Sequence, residues 1–65
     1  MLQVLSEYWG DNNNGVRAEV IFNGKEFGCR FYNQGTFIKE EYYSGHSEAY
    51  AESAAENYCQ GIKQL

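Results

Sequence analysis

The sequence predicts an α+β domain: a four-stranded antiparallel meander followed by one amphipathic helix packed on one face, in the order β-β-β-β-α. Three observations predict it. Turn-forming residues recur at regular intervals, at Gly10–Gly15, Asn23-Gly24, Gln34-Gly35 and Ser44-Gly45, in a chain without proline. The runs between them are seven to nine residues long and rich in β-branched and aromatic side chains, which suit a pleated, half-buried surface. After Gly45 the apolar period lengthens from two to nearly four, the spacing of a helix. At 65 residues the chain is one domain, 1–65.

The first strand is read in LQVLSEYW and is joined to the second by GDNNNG, the densest cluster of side-chain oxygens in the chain. A calcium loop needs acidic ligands at the spacing D-x-[DN]-x-[DN]-G and a bidentate glutamate at its twelfth position. Here Gly15 falls one position early, and the twelfth residue from Asp11 is Phe22. Asn and Asp tolerate positive φ and hydrogen-bond their own backbone, so Asp11–Asn14 reads as a hairpin loop with no metal.

The second and third strands, VRAEVIF and EFGCRFYN, flank Asn23-Gly24. A two-residue type I′ loop there sets Phe22 against Lys25, Val20 against Phe27, Ala18 against Cys29 and Val16 against Phe31, which gives one apolar face. The other face carries Arg17, Glu19, Ile21, Glu26 and Arg30, with Glu19 and Arg30 diagonal and within reach of an ion pair. In the fourth strand, TFIKEEYY, a similar loop at Gln34-Gly35 sets Phe31 against Ile38 and Phe27 against Tyr42, and leaves Glu40 among inward positions.

The helix begins at Ser47 as N-cap and ends near Gly61. Tyr50, Ala51, Ala54, Ala55, Tyr58 and Ile62 form its apolar stripe, opposite Glu48, Ala49, Glu52, Glu56, Gln60 and Lys63. Its length of roughly 22 Å is close to the width of four strands.

A core of Val16, Val20, Phe22, Phe27, Phe31, Tyr58 and Ile62 is small for a free-standing domain, and small domains add disulfides, a metal or a second subunit. Cys29 and Cys59 lack CxxC spacing, and with His46 as the one histidine there is no ligand set for structural zinc. Cys29 points to the core and Cys59 lies late in the helix, so both are read as buried, reduced thiols and His46 as exposed loop. No base, nucleophile and oxyanion donor come together, so the expectation is no enzyme and no cofactor. Oligomerisation remains.

The N-terminus has no basic leader and no stretch approaches the ~20 apolar residues needed to span a bilayer, so a cytoplasmic protein is expected, with no membrane partner. Five Lys/Arg against nine Asp/Glu give a net charge of −4, which opposes phosphate-driven nucleic-acid binding. Glu48, Glu52 and Glu56, at i, i+4 and i+8, form either a solvated face or an acidic ridge for a basic partner.

One helix covers one sheet face. The other is expected to expose Leu5, Trp9, Ile21, Tyr32, Phe37 and Tyr43, with Glu7, Glu19, Glu26 and Glu41 nearby. Pairing two such faces gives a homodimer; the competing geometry is edge-to-edge pairing through strand one or four. Base stacking on the same aromatics gives the alternative, a weak single-stranded nucleic-acid binder.

The segment GHSEAYAESAAENYCQGI resembles the C-terminal helix of short uncharacterised proteins of marine bacteriophages, cyanophages among them, with their S-E-x-Y-A-E-x-A-A-E-N-aromatic run ending at Gly-Ile. The resemblance covers about a quarter of the chain and supplies no functional residues. It implies a phage accessory protein in a bacterial cytoplasm. The function expected is a non-catalytic protein–protein interaction module that binds itself or a host protein.

Overall fold

The computed structural model describes residues 2–10 and 15–62. They form β1 (Gln3–Trp9), β2 (Val16–Phe22), β3 (Phe27–Asn33), β4 (Thr36–Tyr42) and α1 (Glu48–Cys59). The strands make one antiparallel sheet in the order β1-β2-β3-β4, and α1 packs against one of its faces, so the fold is the α+β meander that the sequence indicates. No helix among the described residues is long and apolar enough to cross a membrane.

Turn chemistry and two bulges set the registers. Asn23 does not sit in a two-residue turn. Its side-chain oxygen accepts from the backbone N–H groups of Lys25 and Glu26 at 2.9 and 2.7 Å, and its own N–H donates to the Glu26 carbonyl at 3.2 Å. The loop therefore holds four residues and closes on Phe22 opposite Phe27, whose rings lie 4.6 Å apart. Every expected pair slips by two: Val20 faces Cys29, Ala18 faces Phe31 and Val16 faces Asn33. Because the slip is even, each side chain keeps its face. Glu19 stands directly opposite Arg30, but Arg30 turns instead to Glu40 at 2.6 Å.

The Gln34-Gly35 loop does have two residues, both at positive φ (54° and 80°), as a type I′ turn requires, and Asn33 faces Thr36. One residue later the ladder breaks. Phe37 faces Tyr32 but Lys39 faces Phe31, so Ile38 is an extra, bulged residue. The expected Phe31–Ile38 and Phe27–Tyr42 pairs are replaced by Phe31–Lys39 and Gly28–Tyr42. A one-residue insertion exchanges the faces of everything after it. Glu40 moves outward to Arg30, Glu41 moves inward, and Tyr43 packs against the helix-side core rather than lying on the outer face. A second bulge, at Leu5 between the Val4–Ile21 and Ser6–Val20 pairs, has the same effect in β1: Leu5 packs against the helix-side core, contrary to expectation.

The core sits between the two central strands and the helix, and small residues define it. Ala18, Val20, Cys29 and Phe31 from the sheet and Ala51, Ala55 and Cys59 from the helix are all buried. The small side chains let the backbones approach closely enough for the Cys29 thiol to donate to the Ala51 carbonyl at 3.0 Å. Phe31 fills the remaining space edge-on to Tyr58, with ring centroids 4.9 Å apart, and the Tyr58 hydroxyl donates to the Tyr32 carbonyl at 3.0 Å. Val16, Phe22 and Phe27, expected at the centre, are only half-buried at its margins.

Ser47 stands at the N-cap, as the sequence indicates. At the other end Gly61 adopts φ 82°, its N–H bonds to the Tyr58 carbonyl at 3.1 Å, and Ile62 bonds to the Asn57 carbonyl at 2.8 Å, a Schellman motif. That turn carries Ile62 off the apolar stripe, so this expected core residue is 67% exposed and Cys59 takes its place. The helix packs over β2 and β3 and reaches β1, without spanning β4. The inward positions of β4 are accordingly charged, with Lys39 paired to Glu41 at 3.1 Å.

Gly28 makes the β3–β4 pairing possible. A Cβ there would fall onto the Glu41 carbonyl and within 2.9 Å of the Tyr42 ring. Gly28→Ala should therefore destabilise the chain by about 1–3 kcal/mol, the usual cost of overpacking, as measured by urea denaturation. An unchanged midpoint would contradict this account of the β4 register.

Candidate functional site

The sheet face turned away from the helix is organised as three cross-strand rows. Direct neighbours in the ladders run Trp9, Arg17, Tyr32, Phe37 in the first row and Glu7, Glu19, Arg30, Glu40 in the second. The third runs Val4, Ile21, Gly28, Tyr42. The face thus alternates an aromatic row, a charged row and an apolar row along the strand direction.

In the aromatic row Arg17 is held between two rings, 4.0 Å from the Tyr32 centroid and 5.4 Å from that of Trp9. It reaches into the charged row to pair with Glu7 at 3.2 Å and Glu19 at 3.0 Å. Glu7 and Glu19 face each other directly, a like-charge pair that is destabilising unless a cation bridges it, and Arg17 does so. Desolvation works against the Arg17 charge, but the Glu19 carboxylate, with Tyr32 and Glu7, outweighs it and the guanidinium pKa lies above its ordinary value. Glu19 also accepts from the Tyr32 hydroxyl at 3.0 Å, and Tyr32 meets Phe37 edge-on at 5.8 Å. The two ends of this row are open: Trp9 is 67% exposed and Phe37 52%. A cleft of about 370 Å³ opens beside Trp9, lined also by Arg17, Tyr32 and the backbones of Gly10, Gly15 and Gly35.

Of the residues expected on this face, Trp9, Tyr32 and Phe37 are brought together, and Leu5 and Tyr43 lie on the other side for the reasons given above. Ile21 has the expected parity but is fully buried. Its row explains why: it stands between Val4 and Gly28, and the missing side chain at Gly28 leaves room for the Tyr42 ring to lie over that position. Glu41 also leaves this face, and Glu40 takes its place. Val4 and Tyr42 belong to the face only because of the bulges at Leu5 and Ile38, which alternation along the strands does not reveal. Arg17 stands on the outer face, as the sequence indicates, and its place between the Trp9 and Tyr32 rings adds the bridging role.

The helix side holds the remaining candidates. Glu48, Glu52 and Glu56 are not equivalent. Glu48 and Glu56 are exposed, whereas Glu52 is half-buried and accepts from the Tyr8 hydroxyl of edge strand β1 at 2.7 Å. The Glu48 carboxyl is held above its ordinary range, chiefly by a hydrogen bond with Glu52. His46 is exposed and stacks on Tyr50 at 3.8 Å. The Cys29 sulfur reaches the Ala51 carbonyl, and Cys59 lies eight residues further along α1; both are buried in the same core. A shallower hollow of about 230 Å³ lies beside the helix between Tyr50, Ala54 and Ile62. No group of three or more His, Cys, Asp or Glu positioned to hold a metal ion occurs among the described residues, and Asp11–Asn14 lie outside them.

The Tyr8–Glu52 bond raises the Tyr8 phenol to about 12, chiefly through the hydrogen bond to Glu52 and then through burial. The folded chain holds this proton more tightly than the unfolded chain does. The resulting stabilisation is complete below about pH 10 and is lost as pH rises through the folded value. Ultraviolet titration of the phenolates, compared with the same chain carrying Tyr8→Phe, should place Tyr8 near 12, and Glu52→Gln should return it towards the ordinary tyrosine range. A titration unaffected by that substitution would place the cause elsewhere.

No protein-family model matches this sequence, and none of the curated proteins or solved structures matches it.

Proposed function

We propose that this protein is a non-catalytic protein–protein interaction module that works through its outer sheet face, a phage accessory protein that binds a second copy of itself or a host protein in a bacterial cytoplasm. The observation that carries the reading is the aromatic row, whose ends, Trp9 and Phe37, stand open on a face no helix covers. Aromatic residues and arginine are the side chains that anchor protein interfaces, and this row consists of three aromatics around one arginine.

The edges of the sheet support the face rather than themselves as the interface. Both edge strands carry a bulge, at Leu5 in β1 and at Ile38 in β4, and β4 presents Lys39, Glu40 and Glu41 in succession. Bulges and charges are the devices that discourage edge-to-edge pairing. The resemblance of the C-terminal segment to marine phage proteins is the support for the biological setting.

Single-strand base stacking on Trp9, Tyr32 and Phe37 is the second reading, favoured by their placement in one row on an open four-stranded sheet. Against it, Arg17 is already engaged by two carboxylates, and Glu7, Glu19 and Glu40 share the face. Phe37→Glu, which charges an exposed end of the row, should abolish association in sedimentation velocity while the chain keeps its folded circular-dichroism spectrum. Association indifferent to it would place the interface elsewhere. Titrating Trp9 fluorescence with oligonucleotides at low salt should give no response at high micromolar concentration; saturable, salt-sensitive binding would establish the second reading instead.

A further inference from the structure

The order of residues within the three rows specifies a partner. We infer that the occupant of the outer face is a second copy of this chain, related by a twofold axis that runs parallel to the strands between β2 and β3; this rests on the outer face being the interaction surface. Such an axis lays β1 over β4 of the second copy and β2 over its β3, so each row meets itself in reverse order. Trp9 then faces Phe37 of the second copy, Arg17 faces Tyr32, and Val4 faces Tyr42. In the charged row Glu19 faces Arg30 of the second copy, and the symmetric contact repeats it. Only the outermost pair, Glu7 against Glu40, opposes like charges, at the solvent-accessible margin where screening is strongest.

The other twofold arrangement of two such faces fails on the same row. An axis perpendicular to the strands would set Glu19 on Glu19 and Arg30 on Arg30, and like-charge contacts in an interface are costly. The observed order of signs, Glu7, Glu19, Arg30, Glu40, therefore selects between the two geometries. The face is also nearly neutral, with three carboxylates against two guanidiniums, whereas the whole chain carries −4. The excess negative charge is elsewhere, including on the exposed helix residues Glu48 and Glu56, so two copies meet without strong repulsion. Twisted sheets stacked face to face cross at about 30°, a rotation that displaces the outermost contacts most, so the best-matched contacts are the central ones, Arg17 on Tyr32 and Glu19 on Arg30.

The domain also benefits from a second copy. The largest fully buried side chains among the described residues are only Phe31, Ile21, Val20 and Cys29, a small core even for a chain of this length.

The test is a charge exchange. In sedimentation equilibrium the unaltered chain should be a dimer at micromolar concentration, and Trp9 should become less accessible to acrylamide as concentration rises. Glu19→Arg and Arg30→Glu should each weaken the dimer by at least about tenfold, since each creates two like-charge contacts across the axis. Mixing the two variants should restore association as a heterodimer, in which both contacts are again of opposite sign. Because both substitutions also remove ion pairs within the chain, the quenching experiment on the unaltered protein stands independently of their folding. A dimer that shields Trp9 but is not rescued by mixing folded variants would overturn the twofold register and leave the outer face as the interface. A dimer with Trp9 fully accessible would overturn the outer face itself. A monomer at every concentration would exclude the second copy and leave the face to another protein.

Discussion

A single twelve-residue helix serves a sheet that has two faces, and everything else in this structure follows from how that helix is seated. It is held by a seam of small residues, Ala51, Ala55 and Cys59 against Ala18 and Cys29, closely enough for a thiol to reach a helix carbonyl. Close packing of small groups gains many dispersion contacts over a narrow strip, but it covers only the width of β1 to β3. Two consequences result. The inward positions of β4 carry charge, and the opposite face must satisfy its side chains by pairing them with one another.

That second consequence explains the outer face. Glu7 and Glu19 would repel across the β1–β2 ladder, and Arg17, which is bound to both and lies between the rings of Trp9 and Tyr32, turns the conflict into a connected network. Surface ion pairs taken singly are worth about 0–1 kcal/mol, so its value lies more in fixing the rings than in stability. Tyr32 is held by Arg17, Glu19 and Phe37 together. An interaction surface whose aromatics are already ordered loses less side-chain entropy on binding.

The sequence pattern carried the element order, the inward faces of β2 and β3 and the helix start at Ser47, because each depends on periodicity or on a local capping residue. The Asn23 loop is two residues longer than its Asn-Gly pair suggests, yet Val20, Ala18, Arg17 and Tyr32 keep their faces, since an even slip preserves parity. The bulges at Leu5 and Ile38 were different in kind. A single inserted residue leaves no mark on composition or alternation, and it moved Leu5 and Tyr43 inward and Glu40 outward. The buried Ile21 is hidden for another reason: it sits on a central strand opposite Gly28, where β4 closes in through Glu41 and Tyr42, and no short window of sequence contains that approach. Trp9, Tyr32 and Phe37 remained legible because Trp9 and Phe37 precede or follow the bulges on the turn side and share a row with Arg17.

The association proposed for this protein runs through the face the helix leaves open. Isotope-filtered nuclear Overhauser spectroscopy on an equal mixture of labelled and unlabelled chains tests it most directly, because it records contacts between copies and nothing within one. Intermolecular cross-peaks from the rings of Trp9, Tyr32 and Phe37 are expected. Cross-peaks confined to the helix flank, at Tyr50, Ala54 and Ile62, would contradict it.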